Sequence, residues 1–325
     1  MRDQYGRNIE YLRISVTDRC NLRCIYCMPE EGVEQISHAD ILRYDEIALL
    51  CRLFAAKGIT RVKLTGGEPL VRRGIWELVQ KIKEIDGIDQ VTMTTNGVLL
   101  AEQLERLTAA GLDAVNISLD TMDAASFERV TRRKMLSPAL EGLTAALSYP
   151  GLKVKLNCVP LKGVNEDQWI GLAKTAKENP VDVRFIEMMP IGLGKKYRGC
   201  SQEEVLRILT ENFGEPHSIE GRFGNGPAVY VEFPDFRGKI GFISAMSHKF
   251  CESCNRIRLT ADGFLKPCLQ YAGGIDLKTP LRAGMSAGEL EHLIEAGLYH
   301  KPSGHHFEEK ENDDFEKKKM FSIGG

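Results

Sequence analysis

From residue 11 to about residue 188 the chain repeats one pattern, a short β-branched or apolar run followed by a longer stretch whose apolar positions recur at spacings of three and four. The short runs predict six strands: LRISV from Leu12, RVKLT from Arg61, QVTMTT from Gln90, DAVNISL from Asp113, LKVKLNCV from Leu152 and VDVRFIEM from Val181. Between them, DEIALLCRLFAAKG and AEQLERLTAAG read as helices closed at their C-terminal ends by Gly58 and Gly111. Strand and helix alternating at this spacing imply parallel strands joined by right-handed crossovers, so the class is α/β. Six units suit an incomplete (β/α)6 TIM-like barrel, and a doubly wound open sheet is compatible with the same periodicity. Either would gather ligands at the C-terminal ends of its strands.

After about residue 195 the pattern changes to a short helix, SQEEVLRILTENFG, and then a Gly- and Pro-punctuated, antiparallel-looking stretch through FPDFRGKIGFIS. The expected organisation is a barrel over 1–195, an extension over 196–300 and a tail over 301–325. The tail is polar and charged through EEKENDDFEKKK, the composition of a solvated, mobile segment, and only its last residues, MFSIGG, break that character.

Composition narrows the class without naming a function. In 325 residues, 43% are hydrophobic and 27% charged, which excludes disordered, collagenous and coiled-coil proteins. A formal net charge of -2 argues against nucleic acid or a membrane surface as partner, so an anionic ligand must be met by local basic residues. No apolar run approaches the roughly 18 residues of a membrane span, and MRDQYGRNIE lacks the apolar core of a signal peptide. The expected compartment is a reducing cytoplasm. The nine cysteines agree: six fall into two tight groups, Cys51, Cys158 and Cys200 stand alone, and the odd total does not make a complete disulfide framework.

In SVTDRCNLRCIYCMPEEG, Cys20, Cys24 and Cys27 form C-x3-C-x2-C in the loop after the first strand. Such a loop can wrap three thiolates around one face of an iron-sulfur cubane and leave the fourth iron without a protein ligand. Structural zinc is the alternative, although zinc prefers four ligands in paired knuckles and no nearby fourth completes this group. LTGGEPL places Gly66 and Gly67 directly after the second strand, where a bare backbone can approach a ligand.

In KFCESCNRIRLTADGFLKPCLQ, Cys251, Cys254 and Cys268 form C-x2-C-x13-C, again three thiolates without an obvious fourth; a zinc ribbon completed by His248 is the alternative. Between them Arg256 and Arg258 alternate with Ile257, so an extended segment points both guanidiniums to one side, as a planar or phosphate-bearing ligand requires. Solvated surface arginines would show the same spacing. Arg13 and Lys155, each inside an apolar strand, also alternate with hydrophobic neighbours, and a cation facing a barrel lumen needs an anionic partner.

The first cysteine group, with Tyr26 just before its last member, resembles the signature of the radical S-adenosylmethionine (SAM) superfamily. The resemblance implies that SAM chelates the open iron of a [4Fe-4S] cluster and is cleaved to a 5′-deoxyadenosyl radical. It assigns Tyr26, Gly67, Ser118 in NISLD and Met189 in FIEMMP to SAM. Over nearly the whole chain the motifs YLRISVTDRCNLRCIYC, TGGEP, TTNG, NISLD, VKLN, RFIE, FCESCNRIRLTADGFLKPCL and the terminal IGG are similar to those of the GTP 3′,8-cyclase family of molybdenum cofactor biosynthesis.

That similarity implies a second [4Fe-4S] cluster binding the guanine base of GTP, with Arg13, Lys63, Thr94, Lys155, Arg256 and Arg258 as nucleotide contacts. Lys63 stands where the family pattern has arginine, which keeps the charge but loses bidentate phosphate geometry. The implied reaction abstracts the ribose C3′ hydrogen, joins C3′ to guanine C8 and, with one electron and a proton, gives 3′,8-cyclo-7,8-dihydroguanosine triphosphate. The implied partners are a flavodoxin- or ferredoxin-like electron donor, a downstream cyclic pyranopterin monophosphate synthase and a second copy in a homodimer, and Gly324 and Gly325 resemble a tail that enters the active site. Two rivals stand beside this reading: a two-cluster radical SAM enzyme that modifies a peptide, and a zinc-stabilised binding module.

Overall fold

The computed structural model describes residues 1–34, 36–221, 223–309, 314–317 and 320–323. All six expected strands form, each with its ends within two residues of the expected ones: β1 (Tyr11–Ser15), β2 (Arg61–Thr65), β3 (Gln90–Thr95), β4 (Ala114–Ser118), β5 (Lys153–Cys158) and β6 (Asp182–Ile186). They stand side by side in sequence order, every neighbouring pair parallel. A doubly wound sheet reverses its strand order at a switch point. This one does not, so crossovers of one hand lay the helices α1 (Tyr44–Ala56), α2 (Ile75–Lys83), α3 (Leu100–Ala109), α4 (Ala124–Thr131), α5 (Leu136–Ser148) and α6 (Trp169–Glu178) along one face of a curved sheet.

Period-two alternation divides each strand between two environments. Leu12, Ile14, Val62, Leu64, Val91, Met93, Val115, Ile117, Leu156, Val183 and Phe185 are buried in the layer shared with the helices. Each contributes about 1.5–3 kcal/mol of burial free energy. Their alternates, among them Arg13, Lys63, Thr92, Asn116, Lys155 and Arg184, turn to the concave face and line a cavity. The helix ends follow the expected chemistry: Gly58 and Gly111 take up φ of +90° and +93° just beyond α1 and α3.

The extension forms α7 (Gln202–Phe213), β7 (His217–Ile219), β8 (Val229–Glu232), β9 (Ile240–Ile243), β10 (Arg256–Leu259), β11 (Phe264–Lys266), β12 (Ile275–Asp276), α8 (Lys278–Arg282) and α9 (Ala287–Tyr299). Ser201 starts α7 in a reciprocal capping box with Glu204. The antiparallel hairpins expected here do form, but β9 joins β6 in parallel and β10 joins β1 in parallel. The result is one open sheet in the order β12-β11-β10-β1-β2-β3-β4-β5-β6-β9-β8-β7. The extension thus completes both edges of the half-barrel, which a local pattern of apolar positions cannot reveal.

The tail departs from expectation. Lys301 and Ile323 are 3% and 0% exposed, and His305, Glu316 and Phe321 are also buried. Lys266 and Glu316 form a buried ion pair, and Ile323 packs with Ile191 and Leu269. A charge-rich composition predicts solvation only when the charges have no buried partners, and here they have them. Gly324 and Gly325 lie outside the described residues. Among the described residues no helix is long and apolar enough to cross a membrane.

Candidate active site

One cavity of about 930 Å³ runs through the concave side of the sheet, and all sixteen site residues expected from the sequence line it. Its two ends are set by strand direction. Cys20, Cys24 and Cys27 follow β1 and so stand at the C-terminal end of the parallel strands, with Gly67, Ser118 and Met189. Cys251 and Cys254 precede β10, which runs parallel to β1, and Cys268 follows β11, which runs antiparallel to β10. The second triad is therefore at the opposite mouth.

The first triad is held by local turns. The amides of Cys27 and Met28 both donate to the Cys24 carbonyl, at 2.9 and 3.0 Å, and the Leu22 amide donates to the Cys20 sulfur at 3.4 Å. The Gly67 amide donates to the Thr17 carbonyl at 2.7 Å. A Cβ on Gly67 would stand 2.8 Å from the Asp18 carbonyl oxygen, inside contact distance, so only glycine lets β2 press against the cysteine loop. The amide being spent, what Gly67 offers a ligand is its carbonyl.

Tyr26 donates its hydroxyl to Asp120 at 2.6 Å. Burial, with the charge of Glu68 added, pushes the Cys20 thiol up to about 11; burial also raises Cys27 to about 12 and Cys24 well above its ordinary value. Burial raises the two neighbouring carboxyls as well, Glu68 to about 7 and Asp120 to about 6.

The second triad is assembled from distant parts of the chain. Arg7, in an ion pair of 2.6 Å with Asp3, donates to the carbonyls of Cys251 (2.9 Å), Ser303 (2.8 Å), Pro302 (2.6 Å) and Lys301 (3.3 Å). Lys301 in turn donates to the carbonyls of Arg256 (2.9 Å) and Pro267 (2.6 Å). Burial alone would raise the Cys254 thiol, but the charges of Lys301 and Arg256 and hydrogen bonds from Arg256 outweigh it and hold it near 6. His248, the candidate fourth ligand of a zinc ribbon, does not line the cavity; it is exposed beside Ser247 and Glu203.

Both triads fit an iron-sulfur cluster. All nine cysteines are free thiols. Three free thiols at each mouth are the donor set that a cubane with one open iron requires.

Between the triads the lumen is cationic. Arg258 pairs in register with Arg13 and Arg13 with Lys63, one row across three strands, while Lys155 and Arg184 project from β5 and β6. Burial lowers the pKa of Lys63 well below its ordinary value, and the charges of Arg184, Arg13, Lys155 and Arg256 lower it further; burial does the same to Arg258, with Arg13 and Arg256 adding to it. Cations so crowded call for a polyanion.

Several residues that matter here were not singled out in the sequence. Arg184, 8% exposed with its guanidinium on Asn157 at 2.6 and 2.9 Å, has the same period-two position in its strand as Arg13 and Lys155, and that signal would have found it. Arg7 and Lys301 carry no such signal, because their partners are remote.

The chain matches the Radical SAM superfamily model over residues 14–176 and the Molybdenum Cofactor Synthesis C model over residues 181–307. The curated GTP 3′,8-cyclase of Clostridium perfringens (strain 13 / Type A) is 45% identical over 325 residues, covering 100% of both chains. The chain belongs to the GTP 3′,8-cyclase family. The cyclase of Pelotomaculum thermopropionicum is likewise 45% identical, over 328 residues and 100% of both chains. Among solved structures, Streptococcus suis SuiB superposes on the enzyme with a TM-score of 0.60 at 16% identity, over 81% of this chain and 60% of that one, a likeness of fold alone.

Proposed function

We propose that this GTP 3′,8-cyclase of molybdenum cofactor biosynthesis carries out its reaction along the axis of this cavity, with radical generation at one mouth and nucleotide binding towards the other. The observation that carries this reading is the pair of cysteine triads at opposite ends of one cation-lined lumen. Cys20, Cys24 and Cys27 would hold one [4Fe-4S] cluster, with SAM against Tyr26, Gly67, Ser118 and Met189. Cys251, Cys254 and Cys268 would hold the second. When bound, the clusters and SAM supply an electron and a 5′-deoxyadenosyl radical that takes hydrogen from ribose C3′ of GTP, so that C3′ bonds to guanine C8.

The protein's own part is placement and exclusion of water. Arg13, Lys63, Thr94, Arg256 and Arg258, joined by Arg184, receive the triphosphate and fix the ribose between the two mouths, and Lys155, already paired with Asp182, closes the row. Tyr26, anchored on Asp120, presents its ring at the radical-generating end. Phe321 lines the cavity beside Cys27, so the tail covers that end against solvent. A flavodoxin- or ferredoxin-like donor supplies electrons, a cyclic pyranopterin monophosphate synthase takes the product, and the enzyme works as a cytoplasmic homodimer.

The test offers the anaerobically reconstituted enzyme GTP, ATP or a peptide together with SAM and a strong reductant. Consumption of GTP alone is expected. Cleavage of SAM with GTP unchanged and a peptide modified would favour the peptide-modifying alternative.

A further inference from the structure

We propose that the loop from Phe223 to Pro227, together with Asp182, is a floor that ends the phosphate-binding part of the cavity and limits the nucleotide to three phosphates; this rests on GTP being the substrate. The loop joins β7 to β8 and lines the cavity across the N-terminal ends of the barrel strands. It is tied to two of them, and to residues of the hairpin that follows. The Asn225 side-chain amide donates to Gln90, the first residue of β3, at 2.6 Å. The Phe223 carbonyl accepts from Lys155 on β5 at 2.5 Å. The Phe223 ring meets Tyr230 edge-on with centroids 5.5 Å apart and lies under the ammonium of Lys239, at the start of β9, at 5.3 Å.

Lys155 is the post of this floor. An ammonium has three N–H donors, and here three acceptors take them: the Phe223 carbonyl, the Tyr230 hydroxyl at 2.8 Å and the Asp182 carboxylate at 2.9 Å. Lys155 already has a carboxylate as counterion. Past it, an incoming phosphate meets the Phe223 carbonyl and ring and the Asp182 carboxylate, and the ammonium of Lys239 there is already engaged by that ring and by Glu232. A phosphate reaching that level must either break the Lys155 pair or sit unpaired against Asp182, and both are costly in a buried site. The cations before this point hold the triphosphate; the floor turns a fourth phosphate away.

The reconstituted two-cluster protein, without reductant, is titrated calorimetrically with GMP, GDP, GTP and guanosine 5′-tetraphosphate. Affinity should rise with each phosphate up to GTP and fall by at least about tenfold for the tetraphosphate. Asn225→Ala and Tyr230→Phe, each cutting one tie, should shrink that penalty to within about threefold while leaving GTP affinity near wild type. Because two separate ties are cut, misfolding of one variant leaves the other to decide. Equal wild-type binding of tri- and tetraphosphate, or a full penalty in a folded variant, would overturn the floor. Failure of every guanine nucleotide to bind would overturn the substrate reading beneath it.

Discussion

Three cysteines stand at each end of the cavity, but their surroundings differ in charge and in construction. The first triad comes from one short loop, stiffened by its own turns and by Gly67, with the buried carboxyls of Glu68 and Asp120 beside it. The second is gathered from residues 251–254, residue 268, residues 301–303 and Arg7, and its nearest charges are Lys301 and Arg256. Negative neighbours favour giving up an electron, and positive neighbours draw in an anionic ligand and steady thiolates. The contrast suits the proposed reading, with electron release at the first mouth and nucleotide binding at the second, and it makes the second depend on contacts far apart in the chain.

The largest effect should come from removing one thiolate at either end. Cys24→Ser and Cys254→Ser should each take the reconstituted protein from about eight irons to about four. The first should abolish SAM cleavage, and the second should leave uncoupled SAM cleavage while ending GTP conversion. Loss of all iron in either variant would show that the two sites are not independent.

Arg7→Gln sharpens the difference in construction. It strands Asp3 and releases four backbone carbonyls, at a cost of about 3–5 kcal/mol for breaking a buried pair. Iron content should fall towards half, measured by chemical analysis, with the first-cluster signal in electron paramagnetic resonance retained. A smaller effect is expected within the lumen: Arg184→Met should weaken GTP binding by about 2–3 kcal/mol and leave SAM binding unchanged, both readable by calorimetry.

The smallest effect tests the acidic flank. Glu68 titrates near 7 in the folded protein and at an ordinary 4.5 when unfolded, so the folded state keeps a proton that the unfolded chain releases. Its contribution to stability is full below about 4.5 and is lost as pH rises through about 7. In the apoprotein, the melting-temperature advantage of wild type over Glu68→Gln should therefore shrink across that window. An advantage independent of pH would remove Glu68 from the electrostatic contrast.

Much of this arrangement is legible in the chain itself, for identifiable reasons. The six barrel strands rest on a local signal, alternation, and form as expected; the two triads rest on cysteine spacing, and the fold sets each at a mouth of the cavity. The parallel docking of β9 and β10 on the barrel edges is a non-local choice that apolar periodicity does not encode. The tail misled for a related reason. Lys301 and Glu316 look solvated as a composition but are buried by partners more than thirty residues away. Lys155 was expected to need an anionic partner, and Asp182 supplies one from the neighbouring strand.

The division of labour between the two mouths is tested most directly with GTP carrying deuterium at ribose C3′, incubated with the reconstituted enzyme, SAM and a strong reductant. The 5′-deoxyadenosine recovered should contain that deuterium, and the nucleotide should be the 3′,8-cyclised product. SAM cleavage that yields unlabelled 5′-deoxyadenosine and returns the labelled GTP intact would contradict the account.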